Sequence, residues 1–326
     1  MIIQSPSFLE SCLVSVVIPS YNRCNLVGQT IDSILQQLCE FDFEIIIGDD
    51  FSMDNSREIL LQYQQKYPKN IKLIFHEENI GLGANWATCI KSCRGQYICN
   101  CDNDDYWHNP NKIQLQVDFL ESHPEYGVCY TNYRNQNREL NQIEEVVVSN
   151  DKFNIPLYKA IFVGKFRCCN ATMMYRKELF DRYINLDDYI NYQFTLQDWN
   201  TWIILSYYTD FYCLPISTAT FGVETESITR PLSYEKIEQR FKKERECYRY
   251  VCNRFPQDLP FDEKGYDNFI FSVLLNLAFE QNNFSKAKEL GKKMGSKSIK
   301  ALCSQKKILF WAYHLLKIIK KINSKN

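Results

Sequence analysis

Gln96-Tyr97-Ile98-Cys99-Asn100-Cys101-Asp102-Asn103-Asp104-Asp105-Tyr106-Trp107 is an apolar strand pattern that runs straight into three acids within four positions. At the carboxyl end of a strand, such acids project into the crevice where open α/β sheets bind ligands. Crowded carboxylates repel one another unless a cation neutralises them. Hard divalent ions such as Mn²⁺ or Mg²⁺ take oxygen ligands, and Mg²⁺ is typically held by one or two carboxylates plus substrate phosphates. The segment therefore predicts a metal-bridged diphosphate. An acidic, solvated turn in which Asp caps the next helix is the other reading these residues allow.

Working outward, the first hundred residues alternate strands and helices. Leu13-Val14-Ser15-Val16-Val17-Ile18, closed by Pro19, reads as a buried strand of a parallel sheet. Leu26, Ile31, Ile34, Leu35 and Leu38 then recur at helical steps. Phe43 to Ile47 forms a second strand ending at Gly48-Asp49-Asp50, and Ser52, Asp54, Asn55 and Ser56 are cap-type residues before a helix reaching about Tyr67. Ile71 to Phe75 is the third strand. The pattern is βαβαβ, a nucleotide-binding half of a doubly wound sheet.

Pro19-Ser20-Tyr21-Asn22-Arg23, Asp49-Asp50-Phe51-Ser52-Met53-Asp54, Asn79-Ile80-Gly81-Leu82-Gly83-Ala84-Asn85-Trp86, Gly95-Gln96-Tyr97-Ile98 and Asp102-Asn103-Asp104-Asp105 stand in order at strand ends. This ordered set, over residues 13–230, resembles the family 2 glycosyltransferases of the GT-A fold. Neither Gly-x-Gly-x-x-Gly nor Gly-x-x-x-x-Gly-Lys-Ser/Thr occurs, which argues against a dinucleotide oxidoreductase or a P-loop enzyme. The resemblance implies a nucleotide-sugar donor, with Pro19, Tyr21, Asp50, Asn79 and Asp102 on the nucleotide. Tyr21 would pack on the base and Asp50 accept its N–H, while Asp49 orients its own loop. Asp102 and Asp104 match the Asp-x-Asp motif that holds Mn²⁺ or Mg²⁺, with Asp104 in direct contact and Asp105 in support.

Further along, Thr195-Leu196-Gln197-Asp198-Trp199 resembles the segment that opens a family helix with Glu-Asp. Gln197 replaces the first acid, and Asp198 keeps the one that would act as general base in an inverting transfer. Asp198 is also a good N-cap residue before Trp199, Trp202 and Ile203. Thr220-Phe221-Gly222-Val223-Glu224 aligns with a family pattern in which Arg stands at position 222 and His at 224. Glu224 is thereby a candidate metal ligand in place of His. Phe166 to Lys177 resembles the strand before the acceptor region, and the polar stretch Arg134 to Glu145 is expected to form a loop on the acceptor side.

The composition accommodates this reading. A chain of 326 residues with 45% hydrophobic content can bury a full core plus an appendage. Its 14 cysteines include Cys99, Cys101, Cys129, Cys213 and Cys303 set singly in strand and helix patterns, form no Cys-x-x-Cys, and read as small buried hydrophobes of a reducing compartment rather than a disulfide framework. Only four histidines make a zinc site unexpected. The amino terminus has no basic residue ahead of its apolar run, so no signal peptide is expected.

A net charge of −1 hides an asymmetry: residues 286–326 hold 12 Lys and one Glu. On a helical wheel, Lys306, Lys307, Lys317, Lys320, Lys321 and Lys325 share one face, and Ile308, Leu309, Trp311, Leu315, Leu316, Ile318, Ile319 and Ile322 the other. That is the pattern of an interfacial membrane helix, too short in its apolar run to span a bilayer. A terminal helix packed on its own domain is the alternative; nucleic acid is not expected, since no base-reading motif accompanies the charge.

The expected protein is thus an α/β GT-A domain with a mostly parallel Rossmann-like sheet over residues 1–230 and a helical extension over 231–326. It would lie in the cytoplasm, peripheral on the inner face of the cell membrane. There it would move a sugar from a nucleotide sugar, UDP-linked, to a glycan or lipid-linked glycan acceptor. The competing expectation is a catalytically silent nucleotide- or glycan-binding protein on the same fold.

Overall fold

The computed structural model describes residues 1–148, 153–166, 168–223 and 233–293. In chain order the elements are β1 (Ile2–Ile3), β2 (Val14–Ser20), α1 (Val27–Leu35), β3 (Phe43–Asp49), α2 (Ser56–Lys66), β4 (Ile71–Phe75), α3 (Leu82–Lys91), β5 (Tyr97–Asn100), β6 (Tyr106–Trp107) and α4 (Lys112–Ser122). They continue as β7 (Tyr126–Asn137), β8 (Gln142–Val146), α5 (Leu157–Phe162), β9 (Met174–Arg176), α6 (Lys177–Tyr183), α7 (Leu186–Tyr192), α8 (Gln197–Tyr208) and β10 (Asp210–Val223). Then come α9 (Tyr234–Arg254), α10 (Glu263–Glu280) and α11 (Phe284–Lys293).

The ten strands among the described residues join one sheet in the order β1-β4-β3-β2-β5-β9-β7-β10-β6, with β8 added to β7. The β4-β3-β2-β5 block is parallel, and so is β7 with β10, whereas β9 runs antiparallel between β5 and β7. Every residue of β2, β3 and β5 is buried, as expected of parallel strands covered on both faces. β2 continues through Pro19 to Ser20 instead of stopping before it. Pairing with β5 ends at Val17↔Asn100, so the missing N–H of Pro19 costs that ladder nothing.

Helix α1 buries Val27, Thr30, Ile31, Ser33 and Ile34, one stripe at helical spacing. It ends at Leu35, and Leu38, expected on that stripe, is exposed. Val16, Ile18, Ile31, Ile45, Ile47, Leu60, Cys99 and Ile113 fill the core around the sheet. The described cysteines are all free thiols.

The stretch Arg134 to Glu145 differs from expectation. It is a hairpin, not a loop: β7 runs on to Asn137 and pairs with β8 from Tyr133↔Val146 to Asn137↔Gln142. Its residues are polar because this end of β7 leaves the core and β8 is almost wholly exposed. Among the described residues of Phe166 to Lys177, the strand is the short β9, preceded by a 3₁₀ turn at Asn170–Thr172.

The chain divides into two compact units, Met1–Thr225 with Glu246–Phe255, and Glu226–Arg245 with Pro256–Asn326. The first carries the sheet. In the second, Asp262 caps α10 by accepting the N–H of Gly265 at 2.9 Å, and Asn282, with φ 54°, turns the chain into α11. Among the described residues no helix is long and apolar enough to cross a membrane. Glu224 and the basic segment Lys306 to Lys325 lie outside the described residues.

Candidate active site

The chain leaves β2 toward β3 and β4 on one side, then returns to β5 on the other. The carboxyl ends of β2 and β5 therefore flank a topological switch point, where such sheets open a ligand crevice. The loop after β2 is clasped to the loop after β3. Asp50 N–H donates to Ser20 O at 2.9 Å, Asn22 N–H to Ser52 Oγ at 2.9 Å, and Met53 N–H to Asn22 Oδ1 at 2.8 Å. Asn22 sits at φ 48°, a left-handed position that Asn tolerates well. Asp54 closes the clasp, accepting Cys24 N–H and Ser56 N–H at 3.0 Å each. Partial burial pushes its carboxyl up, but bonds from the Ser56 hydroxyl and the Cys24 and Ser56 amides prevail and hold it at about 2. Beyond the clasp Tyr21 stands exposed, at 46% of its residue surface.

Asp50 and Asn79 are brought together. The Asp50 carboxylate accepts Ile80 N–H at 2.7 Å and Gly81 N–H at 3.0 Å, while Asn79 Nδ2 donates to Asp50 O at 3.2 Å. Burial raises the Asp50 pKa, and those two backbone bonds oppose it. Gly81 takes φ 88°, which lets the chain turn its amides onto the carboxylate. A carboxylate has about four lone-pair sites, so Asp50 retains capacity for another donor. Asp49 is fully buried and accepts Arg57 Nε at 2.5 Å and Ser52 N–H at 3.0 Å. It holds its loop from inside the fold.

The acid segment turns tightly after β5, with Asp105 N–H donating to Asp102 O at 3.0 Å and Asn103 Nδ2 to Ser20 Oγ at 3.1 Å. The three acids diverge. Asp102 Oδ1 is buried without a hydrogen-bond partner. Burial, then the charges of Asp104 and Asp198, push its carboxyl up to about 7 against a bond from Asn170. The Asp104 side chain is one-quarter exposed (25%) and lies 3.6 Å from Arg23 Nε. Asp105 is buried, and its Oδ1 accepts Gly222 N–H at 3.0 Å, tying the acid turn to β10. Burial and the neighbouring Asp102 and Asp104 raise its pKa strongly.

Asp198 reaches the same place from α8, close enough for its charge to act on Asp102. It does not cap that helix. Leu196 is the N-cap residue without a side-chain bond, and Asp198 lies in the first turn, accepting Trp199 N–H at 2.7 Å. Burial raises its pKa. The helix is fixed by Trp202 Nε1 donating to Tyr175 Oη at 2.8 Å and by a 2.9 Å bond between Thr201 Oγ1 and Tyr189 Oη. Gln197, in place of the first acid, is buried with its Oε1 unpartnered.

Among the described residues, no three His, Cys, Asp or Glu side chains are grouped to hold a metal. Asp102 and Asp104 offer two carboxylates, one with an orphaned buried oxygen, and that fits a divalent ion completed by phosphate oxygens. Arg138 carries no motif that sequence reasoning could have singled out. It follows β7, donates through Nη2 to Asp104 O, and lays its guanidinium against Gly222. Only the β7–β10 pairing brings these positions together, so no local pattern could reveal it.

A mostly parallel sheet flanked by helices, with an acid turn at its switch point, is the architecture of the GT-A fold. The chain belongs to glycosyl transferase family 2, which it matches over residues 15–184, just over half its length. It is 38% identical over 117 residues to an uncharacterized protein of Mycobacterium tuberculosis, covering 36% of this chain and 34% of that one. It is 31% identical over 173 residues to the chondroitin synthase of Escherichia coli, covering 53% of this chain and 24% of the synthase. The chain thus spans about a third of the first relative and a quarter of the second. S. aureus TarS 1-349 in complex with UDP-GlcNAc superposes with a TM-score of 0.53 at 18% identity, over 89% of this chain and 81% of that one. At that identity the likeness establishes the fold.

Proposed function

We propose that the protein transfers one sugar, with inversion, from a UDP-sugar to a hydroxyl of a glycan acceptor, lipid-linked as in the assembly of a surface polysaccharide or lipopolysaccharide. The observation that carries this reading is that Asp198, brought in by α8, lies close enough to Asp102 for its charge to act there, although the two are distant in sequence. One carboxylate then faces an acid pair suited to hold a diphosphate through Mn²⁺ or Mg²⁺.

In this mechanism Tyr21 stacks on the base and Asp50 accepts its N–H, with Pro19 and Asn79 shaping the loops around them. Asp102 and Asp104 would hold the cation, which when bound offsets charge on the departing diphosphate; Glu224 is proposed as a further ligand. Asp198 takes the acceptor hydroxyl proton as that oxygen bonds to the anomeric carbon, and the bond from that carbon to the diphosphate oxygen breaks with its electron pair on UDP. Burial suits Asp198 to the role, because a raised pKa makes a carboxylate a stronger base. The basic, amphipathic segment Lys306 to Lys325 supports attachment to an anionic membrane surface at the cytoplasmic face, where lipid-linked acceptors lie.

Thermal stabilisation by nucleotide sugars, with and without Mn²⁺, tests the donor site. A UDP-sugar is expected to raise the melting temperature only with the metal, and Asp104→Ala to lose that shift. Metal-dependent UDP binding that persists in a folded Asp104→Ala variant rules out the assigned ligand. Binding without turnover on any acceptor would favour the silent-protein reading, to which Gln197 and Gly222 point.

A further inference from the structure

We propose that Arg138 is a phosphate-binding residue of the donor site, delivered from the β7–β8 hairpin into space that Gly222 leaves open. The inference rests on the donor reading above. β7 and β10 pair in parallel with Gln136↔Gly222 and Asn137↔Val223 as their last partners, so the residue after Asn137 emerges beside Gly222. A Cβ at position 222 would fall 2.7 Å from both Cζ and Nη2 of Arg138, closer than real Cβ contacts come. The guanidinium and any side chain at 222 therefore exclude each other.

The same guanidinium donates through Nη2 to the backbone oxygen of Asp104, while the Asp104 carboxylate faces Arg23. Two guanidinium groups thus flank one acid segment. The flanked segment is the one proposed to hold the cation that bridges to the diphosphate, so a guanidinium bonded to its backbone stands beside the place phosphate oxygens would take. A planar guanidinium suits phosphate through paired N–H bonds. Position 222 is also where the family pattern carries Arg, so this chain supplies the cation from the neighbouring strand instead.

The alternative is that Arg138 merely fastens the hairpin to the acid turn. Selectivity for the phosphates separates the two: Arg138→Gln removes the charge, and its shorter side chain also gives up the bond to the Asp104 carbonyl, so a merely fastening role would disturb nucleoside and diphosphate alike. Calorimetric titration in Mn²⁺ would use UDP and GDP as the diphosphate probes and the matching nucleoside as the phosphate-free one. Arg138→Gln is expected to weaken the diphosphate about tenfold or more, the scale of one charged hydrogen bond, and to leave the nucleoside within about twofold. Gly222→Ala, which displaces the guanidinium without changing charge, is expected to move the affinities in the same direction. Diphosphate affinity unchanged in both variants, or an equal loss for diphosphate and nucleoside, overturns the proposal while leaving the donor reading intact. A wild-type protein that binds neither UDP nor GDP overturns the donor reading, and this inference with it.

Discussion

Asp102, Asp104 and Asp105 lie within four positions yet occupy three environments. Asp102 is buried with an orphaned oxygen, Asp104 meets solvent and Arg23, and Asp105 serves Gly222 inside the fold. The sequence shows that acids follow a strand, because strand and turn are local; which acid faces the crevice depends on β2 and β10, which are not. Arg138 is the extreme case, since only strand pairing places it beside Asp104. Asp198 was legible as an acid opening a helix, but its offset from the N-cap emerged only with the helix start at Gln197. Asp198→Asn is expected to keep UDP affinity and lower turnover by roughly 10²-fold or more, the low end of what a general base contributes. The active form is deprotonated and burial raises the pKa, so kcat/KM of the wild type should fall with decreasing pH above the ordinary carboxylate range. Residual turnover of Asp198→Asn should lack that limb. A loss under tenfold, or an unaltered pH profile, would place the base elsewhere.

At the scale of elements, β2, β3 and β4 were readable because strands buried on both faces are continuous apolar runs. The β7–β8 hairpin was not, since strands projecting from a sheet lose that signature. Two features of these elements can be tested. Asp54 joins the loops after β2 and β3, and its pKa of about 2 lies below the ordinary value of 3.8. A depressed pKa contributes stability above the unfolded value and loses it as pH falls through the folded one. The difference in urea midpoint between wild type and Asp54→Asn should hold steady above about pH 4 and shrink between 4 and 2; a difference that grows toward acid would contradict the clasp. In α8, Tyr175→Phe leaves the Trp202 N–H, already buried, without its acceptor. It should cost about 1–3 kcal/mol in urea denaturation. Trp202→Phe combined with it should cost less than the sum of the single changes, because the second removes the stranded donor.

Across the whole molecule, charge separates where structure and chemistry do: the last 41 residues hold 12 of the chain's lysines and arginines, while the acids that would meet the donor belong to the sheet unit. We expect the segment from Lys306 to Lys325 to bind anionic bilayers. Each Lys near such a surface contributes about 1 kcal/mol, and the opposite face buries apolar area. Attraction of this kind is screened by salt, so binding should weaken as ionic strength rises. A soluble acceptor analogue does not need the surface and a membrane-borne acceptor does. Deleting residues 305–326 should therefore spare transfer to the first and lower transfer to the second. Co-sedimentation of full-length and truncated protein with vesicles containing phosphatidylglycerol at low salt decides the point. Pelleting of the full chain alone supports the membrane role, whereas equally negligible pelleting of both would mean that the lysines serve only to keep a terminal helix in water.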